Sequence, residues 1–103
     1  MIRGTTPTLR YNLPFGSSLI KSAEIVVAYV DANKMVQIIK TGDDCELGEM
    51  SIETMLTQEE TLQLPAPATV EVQLRVLTTD DKVLATEVKK VSVKRLLKED
   101  VIE

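Results

Sequence analysis

Among its 103 residues this chain has no histidine, no tryptophan and a single cysteine. Each absence removes a class of chemistry. Without histidine there is no Ser-His-Asp triad and no imidazole base to convert Cys45 to a thiolate. Asp43, Asp44 and Glu46 surround Cys45 with negative charge that opposes ionisation, so it reads as an unreactive thiol. A lone cysteine closes no internal disulfide, in keeping with a reducing compartment. A structural zinc site would lack its usual Cys and His ligands. Aromatic residues make up only 3% of the chain, as Tyr11, Phe15 and Tyr29, too few for the stacking platforms that bind sugars or single-stranded nucleic acid. No apolar run approaches the roughly 18 residues needed to span a bilayer, and residues 1–10 (MIRGTTPTLR) lack the apolar core of a signal peptide. No membrane partner is expected, and the expected location is cytoplasmic. Positive charge is in deficit as well: 12 Lys and Arg stand against 16 Asp and Glu, and a net charge of −4 opposes a phosphate backbone. Nucleic acid is not an expected partner.

What is present is β-pattern. Residues 69–93 write two strands and their connection: Val70, Val72, Leu74 and Val76 recur at period two, with Glu71, Gln73 and Arg75 between them. The second strand of this pair changes parity, since Leu84, Thr86 and Val88 share one register and Val91 and Val93 the other. An extra residue near Lys89 and Lys90 reconciles them as a β-bulge. Residues 8–15 (TLRYNLPF) alternate Leu9, Tyr11, Leu13 and Phe15, and Pro14 at their end confines them to an edge or a strand terminus, with an edge strand expected. Residues 22–31 (SAEIVVAYVD) hold six apolar residues in succession, Ile25 to Val30, which implies cover on both faces. Residues 34–40 read as their hairpin partner, 45–47 as a short strand, and 50–56 as a half-buried strand with Met50, Ile52, Thr54 and Leu56 inward.

Thr57-Gln58-Glu59-Glu60 is a capping box, predicting one helical turn before Pro65 and Pro67. Seven strands with a helical turn between the fifth and sixth predict an all-β, immunoglobulin-like antiparallel β-sandwich filling residues 1–103 as a single domain. An open barrel is the alternative. The tail, residues 95–103, pairs Leu97 with Val101 as a short amphipathic segment.

Charged clusters do not change the functional class. Asp43, Asp44, Glu46 and Glu49 lack the alternating spacing of a calcium loop and read as a solvated turn. Glu53, Glu59, Glu60, Asp80 and Asp81 fall at turns or outward strand positions, so carboxylate-pair hydrolysis is not expected. The expectation is no enzyme, no metal and no cofactor. Surplus apolar character remains, and its candidate interface residues are Val26, Ala28, Val30, Leu77, Leu97 and Val101. They either complete the core of a second sheet or form a protein–protein surface.

The segments RGTTPTLRYNLPF, SLIKSAEIVVAYV, SIETMLTQEETLQL and VEVQLRVLTTDDKVLATEVKKVSV, in this order, resemble a group of small uncharacterised proteins encoded in bacterial prophages among virion morphogenesis genes. LTQEET at the corner and QLRVLTTD at a strand end carry most of the likeness. Gly16 and Asp81-Lys82 depart from it, where members have an acidic residue and a turn glycine. The resemblance implies a tail, baseplate or neck accessory protein with an immunoglobulin-like module, whose partners are itself or other virion proteins and whose final location is the virion. It carries over no site residues. A carbohydrate- or cell-surface-binding β-sandwich is the alternative from a different class.

Overall fold

The computed structural model describes residues 1–31, 34–98 and 101–102. Its strands are β1 (Thr8–Asn12), β2 (Ile20–Asp31), β3 (Lys34–Thr41), β4 (Cys45–Gly48), β5 (Ser51–Met55), β6 (Ala68–Thr78), β7 (Val83–Ala85) and β8 (Lys89–Val93), with one α-helical turn, α1 (Gln58–Leu62), and 3-10 turns at Ser17–Leu19 and Gly42–Asp44. They form two antiparallel sheets: a three-stranded one in the order β1-β5-β4, and a five-stranded one in the order β3-β2-β6 with β7 and β8 both on the far side of β6. The chain is therefore an all-β sandwich. Hairpins stay within a sheet, and α1 carries the chain from β5 in the small sheet to β6 in the large one.

The period-two pattern of β6 explains the layering. Val70, Val72, Leu74 and Val76 are buried, while Glu71 and Arg75 face water. Ile25 and Val27 from β2 and Ile38 from β3 join them beneath Tyr11 and Ile52 of the small sheet, making one core. Beyond the sheet, Leu56 and Leu64 flank the corner and are wholly buried.

That corner follows the capping-box expectation. The Thr57 hydroxyl accepts the Glu60 N–H at 3.1 Å, and Glu60 Oε1 accepts the Thr57 N–H at 2.8 Å. The carbonyl of Leu62, which the helix end leaves without a partner in the turn, and that of Leu64 just beyond it accept from Arg3, which donates a terminal nitrogen to Leu62 and Nε to Leu64, each at 2.6 Å. Gly4 beside it is a true glycine position. Its φ is +79°, and an added Cβ would lie 2.8 Å from Leu96 Cδ2.

Three expectations need correction. The seventh strand is two strands, and the break is at residues 86–88 rather than at Lys89 and Lys90. Arg75 pairs with Ala85 and Val72 with Lys89, so two residues of β6 face three of its partner. Thr86 stitches this bulge: its N–H donates to the Leu74 carbonyl at 2.9 Å, its hydroxyl accepts the Leu74 N–H at 3.1 Å, and its carbonyl accepts from Gln73 Nε2 at 2.8 Å. A hydroxyl here replaces the carbonyl that the bulge moves out of reach. Second, Met50 is not an inward strand residue; it sits in the β4–β5 turn and is half exposed. Third, β1 stops at Asn12, because Leu13 donates instead to the Met50 carbonyl at 2.8 Å and Pro14 has no donor. Leu13 and Phe15 still pack against the core.

Candidate interaction surface

The outward face of the large sheet is built by simple alternation. Residues whose neighbours in sequence fill the core must point the other way. On β2 these are Glu24, Val26 and Ala28; on β3, Met35, Gln37 and Ile39; on β6, Glu71, Gln73, Arg75 and Leu77. Register sets their neighbours: Val26 lies between Ile39 and Gln73, Ala28 between Gln37 and Glu71, and Leu77 between Ser22 and Val83. Glu24 and Arg75 stand directly opposite and close an ion pair at 3.0 Å. It divides the face into two apolar areas. One holds Val26, Ala28, Ile39 and Met35, and the other holds Leu77 and Val83. Both are wet, with Ile39 50%, Met35 63% and Val83 67% exposed. Shallow depressions run along each, the first bordered by Val88 at the bulge and the second by Thr41 and Gly42.

Of the candidate interface residues, Val26, Ala28 and Leu77 share this face and are half-buried. The side chain of Val30 lies outside the described residues; its backbone pairs with Met35 on the same sheet. The six-residue apolar run therefore has Ile25 and Val27 inside and Val26 and Ala28 outside, with cover on one face only. Leu97 and Val101 belong to a different place. The Ile102 carbonyl accepts from the Gln58 side-chain Nε2 at 3.1 Å and the Ile102 N–H donates to Gln58 Oε1 at 2.9 Å, tying the tail to α1. Leu97 is 96% exposed. Met35, Ile39, Val83 and Val88 were not singled out from the sequence. The hairpin pairing of 22–31 with 34–40 contains the signal, since it sets Ile39 beside Val26.

The titratable groups with shifted pKa values serve packing. Burial pushes the Cys45 thiol up; Thr54 and Lys40 lower it and Asp44 raises it, without reversing the direction. Burial, more than the acidic neighbours read from the sequence, keeps this thiol protonated. Burial also raises the Tyr11 phenol, with the nearby Thr86 side chain offsetting part of that. The Tyr11 hydroxyl nonetheless closes no hydrogen bond of good geometry. Lys89 Nζ sits 5.3 Å from the centre of its ring, a cation–π contact from β8 to the small sheet. For Glu60, burial raises the pKa, but the hydrogen bonds from Lys40 and Thr57 and the Lys40 charge outweigh it, and the net direction is down. The Lys40–Glu60 pair, 2.7 Å apart and mostly buried, binds β3 to the corner.

Among the described residues, no three His, Cys, Asp or Glu side chains are placed to hold a metal ion. No described helix is long and apolar enough to cross a membrane. The chain matches no protein-family model, and none of the curated proteins matches it.

Proposed function

We propose that this chain is a non-enzymatic assembly module, an accessory protein of a phage or prophage tail or baseplate, that binds itself or another virion protein through the outer face of its large sheet. The observation that carries the reading is the pairing of Val26 with Ile39 and of Leu77 with Val83 on a face where neighbouring strands supply only partial cover. Apolar side chains collected at adjacent register positions are what association buries, whereas scattered ones need no explanation. The virion setting is supported by the resemblance of the LTQEET corner and the QLRVLTTD strand. Recognition of a sugar is the weaker reading, because Tyr11 is buried and Phe15 and Tyr29 pack against the core, leaving no ring laid open for stacking.

The test is molecular mass by light scattering, for the protein alone and mixed with the products of adjacent genes, comparing wild type with a Val26→Lys/Leu77→Lys variant. A complex that forms with wild type, depends weakly on salt and is lost in a folded variant supports the face. A complex with those products that is untouched by the variant, or a protein that ignores all of them and binds a polysaccharide, overturns it.

A further inference from the structure

A sheet edge is a row of unpaired backbone groups, and folded proteins usually shorten, bend or cover such edges. This molecule does so almost everywhere. β7 is three residues long and is separated from β8 by the Thr86 bulge. The start of the chain covers the end of β8: Ile2 bridges Lys94 in parallel, and Lys94 donates to the Met1 carbonyl at 2.8 Å. In the small sheet, β4 has four residues and β1 has five, with prolines at 7 and 14 beyond its ends.

β3 is the exception. It is eight residues long, contains no proline, and keeps an unbroken register with β2 from Thr41 to Lys34. The inward lysine that could guard it, Lys40, is already held by Glu60.

The direction of its open groups can be read. Thr41 sends its N–H to Asp44 Oδ2 at 3.2 Å, away from β2. Successive strand residues alternate the side to which they present N–H and C=O. Ile39, Gln37 and Met35 therefore present theirs to the same open side, and no described residue outside the sheet bonds to them.

We infer that a second copy of this chain pairs with this edge, β3 against β3, antiparallel about a two-fold axis at Gln37. Three constraints set the register of that pair. The two-fold axis must keep outward residues beside outward residues, so the paired numbers sum to an even value. Hydrogen-bonded pairs must join residues that both face the edge, which are the odd ones. An axis at Val36 or Ile38 would leave only two hydrogen-bonded pairs among Met35, Gln37 and Ile39, and the one at Ile38 would also call on the Thr41 N–H, already taken by Asp44, whereas an axis at Gln37 uses all three residues on both copies. What remains sets Gln37 opposite Gln37 and Met35 opposite Ile39, twice over, matching the two exposed apolar residues of the strand to each other. Below them Val36 meets Ile38. Lys34 falls opposite Lys40 of the second copy, whose charge Glu60 neutralises. The union makes one continuous sheet and joins the two outer faces side by side. It rests on the assembly reading only for the use of that joined face.

Light scattering over a concentration series tests it, with two variants. Gln37→Pro removes an N–H that points to the open edge, a change an edge strand tolerates. Gln37→Cys in a Cys45→Ser background places two thiols on the axis, where directly opposite Cα atoms are about 5.5 Å apart, within disulfide reach. Wild type with twice the monomer mass, Gln37→Pro with the monomer mass and an unchanged melt, and a Gln37→Cys dimer that oxidises to a cross-linked species support the edge. A wild type that stays monomeric overturns it, as does a dimer that survives Gln37→Pro or one in which Gln37→Cys does not cross-link. If Gln37→Pro fails to fold, the cross-link decides. Val26→Lys/Leu77→Lys should keep the dimer while losing other partners, which separates failure of the edge from failure of the face.

Discussion

The large sheet treats its two sides differently. On the β3 side the ladder runs in one register from Asp31–Lys34 to Glu24–Thr41, and the strand is pinned from below by Lys40 on Glu60. On the other side the ladder slips by one residue at Thr86, and the partner strand is divided into β7 and β8. Ile38 and Val36 of β3 reach the core on one side and Val93 and Val91 of β8 on the other, so the apolar residues buried do not explain the contrast, although β7 is exposed throughout. The difference lies in the backbone. A slipped ladder twists an edge and shortens what it offers to another chain, whereas an unslipped one leaves a flat template.

Five substitutions, from the largest expected effect to the smallest, bear on that contrast. Leu74→Ala removes a nearly fully buried side chain at the residue the bulge is stitched to. It should cost about 2–5 kcal/mol in denaturant melts, with the size set by how far the cavity collapses. Thr86→Val keeps the shape of the side chain but leaves the Leu74 N–H without its acceptor, a loss of about 1–3 kcal/mol. A melt within error of wild type would mean that the bulge does not depend on the Thr86 hydroxyl.

Thr57→Ala probes the other side, since Thr57 and Lys40 share Glu60. Loss of the cap should cost about 0.5–2 kcal/mol. The same cluster predicts a pH dependence. Because the folded pKa of Glu60 is lowered, the unfolded chain binds its proton first as pH falls. The contribution is therefore complete above the ordinary glutamate value of about 4.3 and is lost as pH drops through the lowered folded value. Melts of wild type and Glu60→Gln should differ most near neutrality and converge in acid; a gap independent of pH would remove the charge from the explanation. Glu71→Ala, on the wet face of the strand common to both sides, should change stability by less than about 0.5 kcal/mol. Gln73 is not an equivalent control, because its amide bonds the Thr86 carbonyl.

Much of this molecule is written locally. Period-two alternation in residues 69–78, the turn at residues 79–82 and the Thr57–Glu60 capping box each depend on residues within a few positions of one another, and each appears in the structure where the pattern puts it. The parity change after Val88 announced an extra residue, again a local signal. Its position was not legible, because two registers differing by one residue are equally regular until something outside the strand chooses. That choice came from Thr86, whose hydroxyl can reach Leu74 only once β6 lies beside it.

The candidate surface divides in the same way. Val26, Ala28 and Leu77 could be named from their own strands, because alternation makes them surplus once the core is filled. Grouping them with Ile39 and Val83, and separating them from Leu97 and Val101, required knowing which strands are neighbours. The amino-acid sequence by itself determined that the chain is all-β, which face of β6 is buried and where the corner turns, because near-neighbour sterics and hydrophobic periodicity act without reference to the rest of the chain. Only the tertiary structure decided which side of the large sheet is broken, which is left straight, and that Lys40 finds Glu60, because these follow from pairing segments far apart in sequence.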